Sequence, residues 1–461
     1  MANLKTIPKV DKILSSPKIK ELLEIYPRPL IVDAIRKVLD NTRKELINNE
    51  YDNSQIMTRI ALDIEKSLSE INKPSLKRVI NGTGVVIHTN LGRAPLPEKT
   101  RKQLCDISFN YSNLEYNLET GERGSRYSHV EPLICQLTGA EAAIVVNNNA
   151  AAILFALSAI SSGKETIVSR GELVEIGGSF RIPDIMAISG TKLLEIGTTN
   201  RTHLKDYKNA ISENTGAILK VHCSNFAMTG FTKETPVAKL AELSMKSGIP
   251  LIADLGSGNL IDFHDNPYLE GETVQGYIKA GVDILTCSGD KMIGGPQIGI
   301  IAGKQKYIET MKKHPLLRAL RVDKMTLAAL ESVLKLYRDP KEALKTIPVR
   351  QMLTASEADL SKRGQKLLKL LNKELAKEFI TCKIEEGFSR VGGGAMPNAQ
   401  IPTKLISVSI NGKSAQEIEE LLRKAETPVI GRISKGLFLL DVRTIRDEEF
   451  GLLVDSLKSL K

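Results

Sequence analysis

The stretch Val282–Gly303 constrains this chain more than any other. An apolar run, Val282-Asp283-Ile284-Leu285-Thr286, reads as a buried strand and ends in the small polar turn Cys287-Ser288-Gly289-Asp290. That turn delivers one lysine, Lys291, just before a Gly294-Gly295-Pro296 break, and a second apolar run, Ile298-Gly299-Ile300-Ile301-Ala302-Gly303, follows at once. The gap leaves no room for a crossover helix, so the second strand is expected to run antiparallel to the first. A lysine fixed at a strand end in this way sits where Schiff-base lysines sit, and such a lysine needs a partly desolvated pocket to be nucleophilic at neutral pH. Taken alone, a surface turn lysine reads the same way, because glycine-rich turns with lysine are common.

Three further features bear on that choice. The short apolar strand Ala142–Val146 runs into Asn147-Asn148-Asn149-Ala150-Ala151-Ala152 and then the helical run Ile153–Leu157. Small residues opening a helix leave free backbone N–H groups, and the helix dipole favours an anion before them. One Asn would suffice as an ordinary N-cap; three followed by three alanines allow close approach of a phosphate. In Pro250-Leu251-Ile252-Ala253-Asp254-Leu255-Gly256-Ser257-Gly258 an aspartate ends an apolar strand before a glycine turn. Asp254 can cap that turn, or it can hold a pyridinium nitrogen protonated. Ser288, three residues before Lys291, carries a hydroxyl that can reach the same phosphate. Phosphate cup, aspartate and lysine in this chain order point to pyridoxal phosphate.

At 461 residues the chain has room for two or three domains, and 42% apolar content suffices for a core. No apolar run approaches the ~20 residues needed to span a bilayer, and Met1-Ala2-Asn3-Leu4-Lys5 lacks the apolar centre of a signal peptide. The five cysteines (105, 135, 223, 287 and 382) form no close pair, which suggests neither a zinc site nor a disulfide framework. A reducing cytoplasm follows as the simplest location. The net charge of +10 lies at the ends: residues 1–80 carry +4, residues 341–461 carry +5 and the long middle only +1. Such basic ends aid solubility or attract a polyanion such as RNA.

Residues 1–75 read as a helical module, with Ile13-Leu14, Leu22-Leu23-Ile25, Ile31-Val32-Ile35-Val38-Leu39 and Ile60-Leu62-Ile64-Leu68 recurring near helical spacing and Pro27 and Pro29 separating two helices. From Val79 short apolar runs alternate with helical ones: Ala142–Val146, Thr166–Ser169, Lys192–Ile196, Ala217–Val221, Leu251–Asp254, Asp283–Thr286 and Ile298–Ala302. Seven strands with only the last reversed predict an α/β large domain over 76–340, with ligands at the carboxyl ends of the strands. Residues 341–461, with strands near Leu405–Ile410 and Leu437–Val442, read as a smaller α+β domain.

Several longer blocks carry a closer resemblance. They are Asn81–Leu96 (NGTGVVIHTNLGRAPL), Glu119–Arg126 (ETGERGSR), Glu175–Asp184 (EIGGSFRIPD), Ser288–Lys291 and His314–Lys324 (HPLLRALRVDK). On these the chain resembles fold-type I pyridoxal phosphate enzymes, and within them the bacterial selenocysteine synthase (L-seryl-tRNA(Sec) selenium transferase) family, nearly end to end.

That resemblance implies conversion of L-seryl-tRNA(Sec) to L-selenocysteinyl-tRNA(Sec), with selenophosphate as donor and a cofactor-bound dehydroalanyl intermediate. It implies Lys291 as the cofactor lysine, Asp290 for proton handling or hydroxyl positioning, and Arg93, Arg318 and Arg321 as the donor-binding residues. Arg318 and Arg321 are three apart, so on a helix both would face one site. The side chain stacking on the cofactor is expected within Glu172–Glu175. The family also implies a tRNA-binding role for the N-terminal module and an oligomer built from dimers, up to a decameric ring. A lyase or aldolase acting on a small amino acid is the alternative class; it needs neither the helical module nor basic ends. A non-catalytic tRNA-binding relative would be expected to have lost the lysine or the cup.

Overall fold

The structure is a computed structural model and describes residues 7–47, 56–178, 180–223, 225–263, 266–269, 271–376 and 378–460. The N-terminal residues 1–5 read above for a leader lie outside these. The chain divides into two compact units, Met1–Arg78 and Val79–Lys461. Among the described residues no helix is long and apolar enough to cross a membrane.

Among its described residues the first unit holds four helices: α1 (Val10–Leu14), α2 (Pro17–Ile25), α3 (Arg28–Ile47) and α4 (Ile56–Asn72). Pro29 falls in the first turn of α3, where a missing N–H is not felt. Ile31, Ile35 and Leu39 on α3 and Ile60, Ile64 and Leu68 on α4 recur every fourth residue, so each helix turns one stripe inward. All six are buried in one cluster with Ile13, Ile19 and Leu22.

The second unit is built on a seven-stranded sheet: β1 (Ala142–Val146), β2 (Glu165–Ser169), β3 (Lys192–Ile196), β4 (Thr215–Val221), β5 (Leu251–Gly256), β6 (Ile284–Ser288) and β7 (Gly299–Gly303). Their spatial order is β1-β7-β6-β5-β4-β2-β3. β7 is antiparallel to both neighbours, and the remaining pairings are parallel. Every residue of β1, β4, β5, β6 and β7 is buried, as expected for strands covered on both faces. The reversal at β7 lets the chain turn back within the Lys291 loop. The carboxyl ends of β1, β6, β5 and β4 therefore come together with that loop among them.

A second, five-stranded sheet lies in the C-terminal part, with order 432–434, 437–441, 401–410, 380–392 and 85–87. The strands at 401–410 and 437–441 fall near the expected runs. The thirteen-residue strand Ile380–Gly392 does not stand out in the sequence, because glycines, charges and serine interrupt it. The last strand, Val85–Ile87, comes from early in the chain and pairs in parallel with Arg390 and Gly392. Just before it, Ile80–Asn81 pairs with Val429–Ile430. The Asn81–Leu96 block thus starts inside the C-terminal layer, not in the large domain.

Gly84 shows what this requires. It adopts φ +78°, and a Cβ there would lie 2.0 Å from Oδ2 of Asp441. Asp441 is fully buried and accepts hydrogen bonds from Ser389 Oγ, Thr403 Oγ1 and the Arg443 amide. A side chain at 84 would break this knot and strain the backbone. Gly84→Ala is expected to destabilise the fold by about 3 kcal/mol or more, through left-handed strain and overpacking together. Urea unfolding followed by circular dichroism checks this; an unchanged midpoint would mean that the knot relaxes freely.

Candidate active site

Asp254 lies within β5 and is buried. Its carboxylate is fixed from three directions. Asn149 Nδ2 donates to Oδ1 at 2.8 Å, and Thr286 Oγ1 and the Gly256 amide donate to the same oxygen at 3.2 Å. Thr286 is the β6 residue registered opposite Asp254, and the ladder shifts just after it, so that Cys287 faces Gly256. Burial holds the Asp254 carboxyl above its ordinary value, while Asn149, Lys291 and Thr286 pull the other way. A buried carboxylate with that tension gains from a cationic ring nitrogen placed against it.

Lys291 is 5% exposed, and among the described residues it has no hydrogen-bond or ion-pair partner. Its turn is tied on both sides. The Met292 amide donates to the Ser257 carbonyl at 3.0 Å, joining the lysine turn to the turn after Asp254, and the Gly295 amide donates to the Gly289 carbonyl at 2.9 Å. Gly258, at φ +67°, completes the fit: a Cβ there would lie 2.5 Å from the Ser288 carbonyl. Burial pushes the Lys291 ammonium below its ordinary value and Arg93 adds to that, against Asp254 and Asp290.

Arg93 enters from a distant turn. Thr89–Leu91 forms a single 3-10 turn, Gly92 follows at φ +84°, and Arg93 itself takes φ +61°. Non-glycine residues hold such a backbone at a cost of about 1–3 kcal/mol, which the surroundings must impose. The side chain reaches Asp290, Nη1 donating to Oδ2 at 2.7 Å. The other oxygen of Asp290, Oδ1, is buried and has no hydrogen-bond partner among the described residues. Lysine, aspartate and arginine thus form one charged group at the end of β6.

The three asparagines divide their work. Asn148 is the N-cap of the helix Asn149–Ile160, its side chain accepting from the Ala151 amide at 2.8 Å. Asn149 Nδ2 donates to Asp254, and its Oδ1 is buried with no hydrogen-bond partner among the described residues. Asn147 is exposed, and its amide donates to the Leu320 carbonyl at 3.2 Å. The amides of Asn149 and Ala150 have no acceptor among the described residues, so backbone groups, more than asparagine side chains, offer the anion cup. Ser288 is buried at the end of β6.

Arg318 and Arg321 do not share a helical face. The helix there is only Leu316–Leu320, and Arg321 follows in extended backbone at φ −68°, ψ 141°. It ends because the Leu320 carbonyl turns to the Asn147 amide and Asp323 caps the next helix three residues later. The Leu320 contact joins the backbone just before Arg321 to Asn147. Arg318 is exposed, and Arg321 lies 3.9 Å from Glu115. In the Glu172–Glu175 region, Glu172 is buried against Lys220 Nζ at 2.7 Å and the Val221 amide at 2.8 Å, while Glu175 pairs with Arg181.

Sequence reading passed over Thr286, the Asn149–Asp254 bond and His222. His222 directly follows β4, and its amide donates to the Asp254 carbonyl at 2.9 Å. Burial lowers the affinity of its ring for a proton. Its signal was present, since it ends a strand just as Asp254 and Asn147 do. His222 and Ser257 also line a cavity of about 840 Å³ together with Phe226, Tyr268, Glu272 and Phe388.

The residues present fit pyridoxal phosphate: a buried carboxylate for the ring nitrogen, two free amides for the phosphate and an unpaired buried lysine. Fold and site together define a pyridoxal phosphate enzyme of fold type I. A solved D-glucosaminate-6-phosphate ammonia-lyase shares the fold, with a TM-score of 0.57 and 21% identity over 86% of this chain and 97% of that one. The family model for L-seryl-tRNA selenium transferase matches residues 79–446, and that for the selenocysteine synthase N terminus matches residues 4–43. L-seryl-tRNA(Sec) selenium transferases of Geotalea daltonii and Geotalea uraniireducens are 55% and 54% identical, over 99–100% of both chains. That of Geobacter sulfurreducens is 50% identical over 98% of each. The chain belongs to the L-seryl-tRNA selenium transferase family.

The electrostatics of Lys291 give a signed test. Its ammonium loses its proton below the 10.5 of a free lysine. Capture of pyridoxal phosphate by the apoprotein should therefore accelerate with pH around a midpoint below that value. Arg93→Ala removes a cation and leaves Asp290 unbalanced, so the midpoint should rise. Asp290→Asn does the reverse and should lower it. Stopped-flow absorbance across pH checks both directions, and shifts of the same sign would refute this arrangement of charges.

Proposed function

We propose that this chain converts L-seryl-tRNA(Sec) to L-selenocysteinyl-tRNA(Sec), with selenophosphate as the donor. The observation that carries this reading is Lys291, buried and unpaired between the Asp254 carboxylate and the Arg93–Asp290 pair, in a chain of this family. When bound, pyridoxal phosphate withdraws electrons from the seryl α-carbon, so that its proton becomes acidic and the β-hydroxyl can leave.

The protein residues take the remaining tasks. Asp254, oriented by Asn149 and Thr286, favours the protonated ring nitrogen. The amides of Asn149 and Ala150, with Ser288, hold the cofactor phosphate. Lys291 removes the α-proton and later returns it, which suits an amine whose burial has lowered its proton affinity. Asp290 lies next to it, with one oxygen that can accept a hydrogen bond from the β-hydroxyl and so orient it; that hydroxyl takes a proton from solvent and leaves as water. Selenium from the donor then forms the new bond to the β-carbon, and the donor's phosphorus–selenium bond breaks with release of phosphate. Arg93, Arg318 and Arg321 supply guanidinium forks, which hold a tetrahedral oxyanion in pairs of bonds better than lysine does.

The 840 Å³ cavity beside His222 and Ser257 has room for the aminoacyl end of the tRNA. The helical module and the basic chain ends suit the tRNA body, with an affinity that falls as salt rises. Fold-type I sites are commonly completed across a dimer, so we take the active form to be a homo-oligomer of dimers.

Lys291→Ala is expected to lose any cofactor linkage that borohydride can reduce, along with turnover, while the far-ultraviolet circular dichroism stays unchanged. Arg318→Ala and Arg321→Ala should each raise the donor KM roughly tenfold to a hundredfold, the worth of one charge-assisted bond. Their affinity for tRNA should barely move. In gel-shift assays the wild-type protein should retard tRNA(Sec) and not tRNA(Ser); equal retardation of both would overturn the tRNA(Sec) assignment.

A further inference from the structure

The block Glu119–Arg126 resembles the family strongly, yet none of the roles above uses it. The structure gives it a neighbour. Glu115 and Gly124 close a hairpin, the Gly124 amide donating to the Glu115 carbonyl at 3.0 Å and the Asn117 amide to the Glu122 carbonyl at 2.9 Å. From that hairpin the Glu115 carboxylate meets three guanidinium groups. Arg126 Nε donates to it at 2.9 Å, Arg123 Nη2 at 3.2 Å, and Arg321 Nη1 stands 3.9 Å away.

Arg126 is the buried member, its side chain 9% exposed against 78% for Arg123 and 40% for Arg321. Its Nη1 donates to the Val322 carbonyl at 2.5 Å, and Val322 is the residue after Arg321. A second tie reaches the same stretch from ahead of the hairpin, Lys324 Nζ donating to the Asn110 carbonyl at 2.6 Å. On its other side the segment is held at the cup, where the Leu320 carbonyl accepts from the Asn147 amide. Arg321 therefore sits on extended backbone anchored immediately before it by Asn147 and immediately after it by Arg126.

We propose that Glu115 and Arg126 are positioning residues for the donor site: Glu115 fixes Arg126, and Arg126 fixes the backbone that presents Arg321 to a tetrahedral oxyanion. This rests on the reading of Arg321 as a donor-binding residue. Neither Glu115 nor Arg126 need touch the donor. Arg126 suits the task because its planar fork serves a carboxylate and a carbonyl at once, which a lysine ammonium does with less geometric control.

The sign of the effect separates a brace from a simple charge. Glu115 is an anion beside an anion site, so by Coulomb's law alone its removal should tighten oxyanion binding. A brace predicts the opposite. Inorganic thiophosphate, a tetrahedral anion, serves as the probe, titrated calorimetrically into the cofactor-loaded oligomer. Glu115→Gln and Arg126→Lys should each weaken it at least about tenfold, the worth of one charge-assisted bond, and raise the donor KM alike. The seryl-tRNA KM and the cofactor absorption should stay unchanged, and Glu115→Asp should recover part of the loss. With Arg321→Ala already in place, Glu115→Gln should add little, since both act on one group.

Tighter or unchanged thiophosphate binding in Glu115→Gln and Arg126→Lys, with a clear loss in Arg321→Ala, would overturn the brace and leave the donor site standing. Unchanged binding in Arg321→Ala would overturn both. Loss of cofactor or a lowered melting temperature in Arg126→Lys and Glu115→Asp together would reduce the pair to general fold support, and the proposal would fail.

Discussion

The Asp254 carboxylate is the point on which the site turns. Three donors from three separate stretches of chain converge on one of its oxygens: Asn149 at the head of a helix, Thr286 on the neighbouring strand and the amide of Gly256. Each bond is strengthened by the low dielectric around it, and losing any of them would leave a buried polar group unsatisfied. The carboxylate thereby locks the helix that offers the anion cup to the strand pair that leads into Lys291. The start of that helix, the aspartate and the strand that leads to Lys291 are tied to one another through this single oxygen.

Around that centre the chain arranges charge more than shape. Lys291 faces one guanidinium and two carboxylates, and burial together with the guanidinium outweighs the carboxylates, so its proton affinity falls below that of a free lysine. Arg93 is brought there by a left-handed backbone that an arginine does not choose unaided. The strain is offset by the ion pair it makes with Asp290, 197 residues away along the chain. Such an arrangement favours proton transfer at a defined position and disfavours an arginine free to wander from the lysine.

Much of this was legible in the sequence, and for a physical reason. Parallel buried strands are nearly continuous apolar runs, and functional groups fall at their ends, so Asn147–Asn149, Asp254 and Lys291 could be placed by one rule. The reversal of β7 followed from the shortness of the Lys291 loop alone. Contacts between side chains from different strands were not legible. Nothing in the local pattern says that Asn149 turns to Asp254 instead of a phosphate, or that Thr286 stands opposite it in register. The face assigned to Arg318 and Arg321 failed because spacing presumes a helix. Here a carbonyl bond to Asn147 ends the helix at Leu320. Ile380–Gly392 was hidden because an alternating strand with glycine and charge on its open face leaves a weak apolar signal.

The pairing of Val85–Ile87 with Arg390–Gly392, and of Ile80–Asn81 with Val429–Ile430, has a consequence for how the chain is made. On a ribosome, residues 80–87 emerge long before the strands they join, so two short edge segments must wait unpaired while the seven-stranded sheet is completed. Pairings of such sequence separation form late and slowly. The nascent large domain therefore spends most of its synthesis with an open flank, a state in which exposed strand edges invite association with other chains. A chain cut short after residue 321 but before residue 380 would keep that flank open permanently, even with every residue of the Lys291 site already in place.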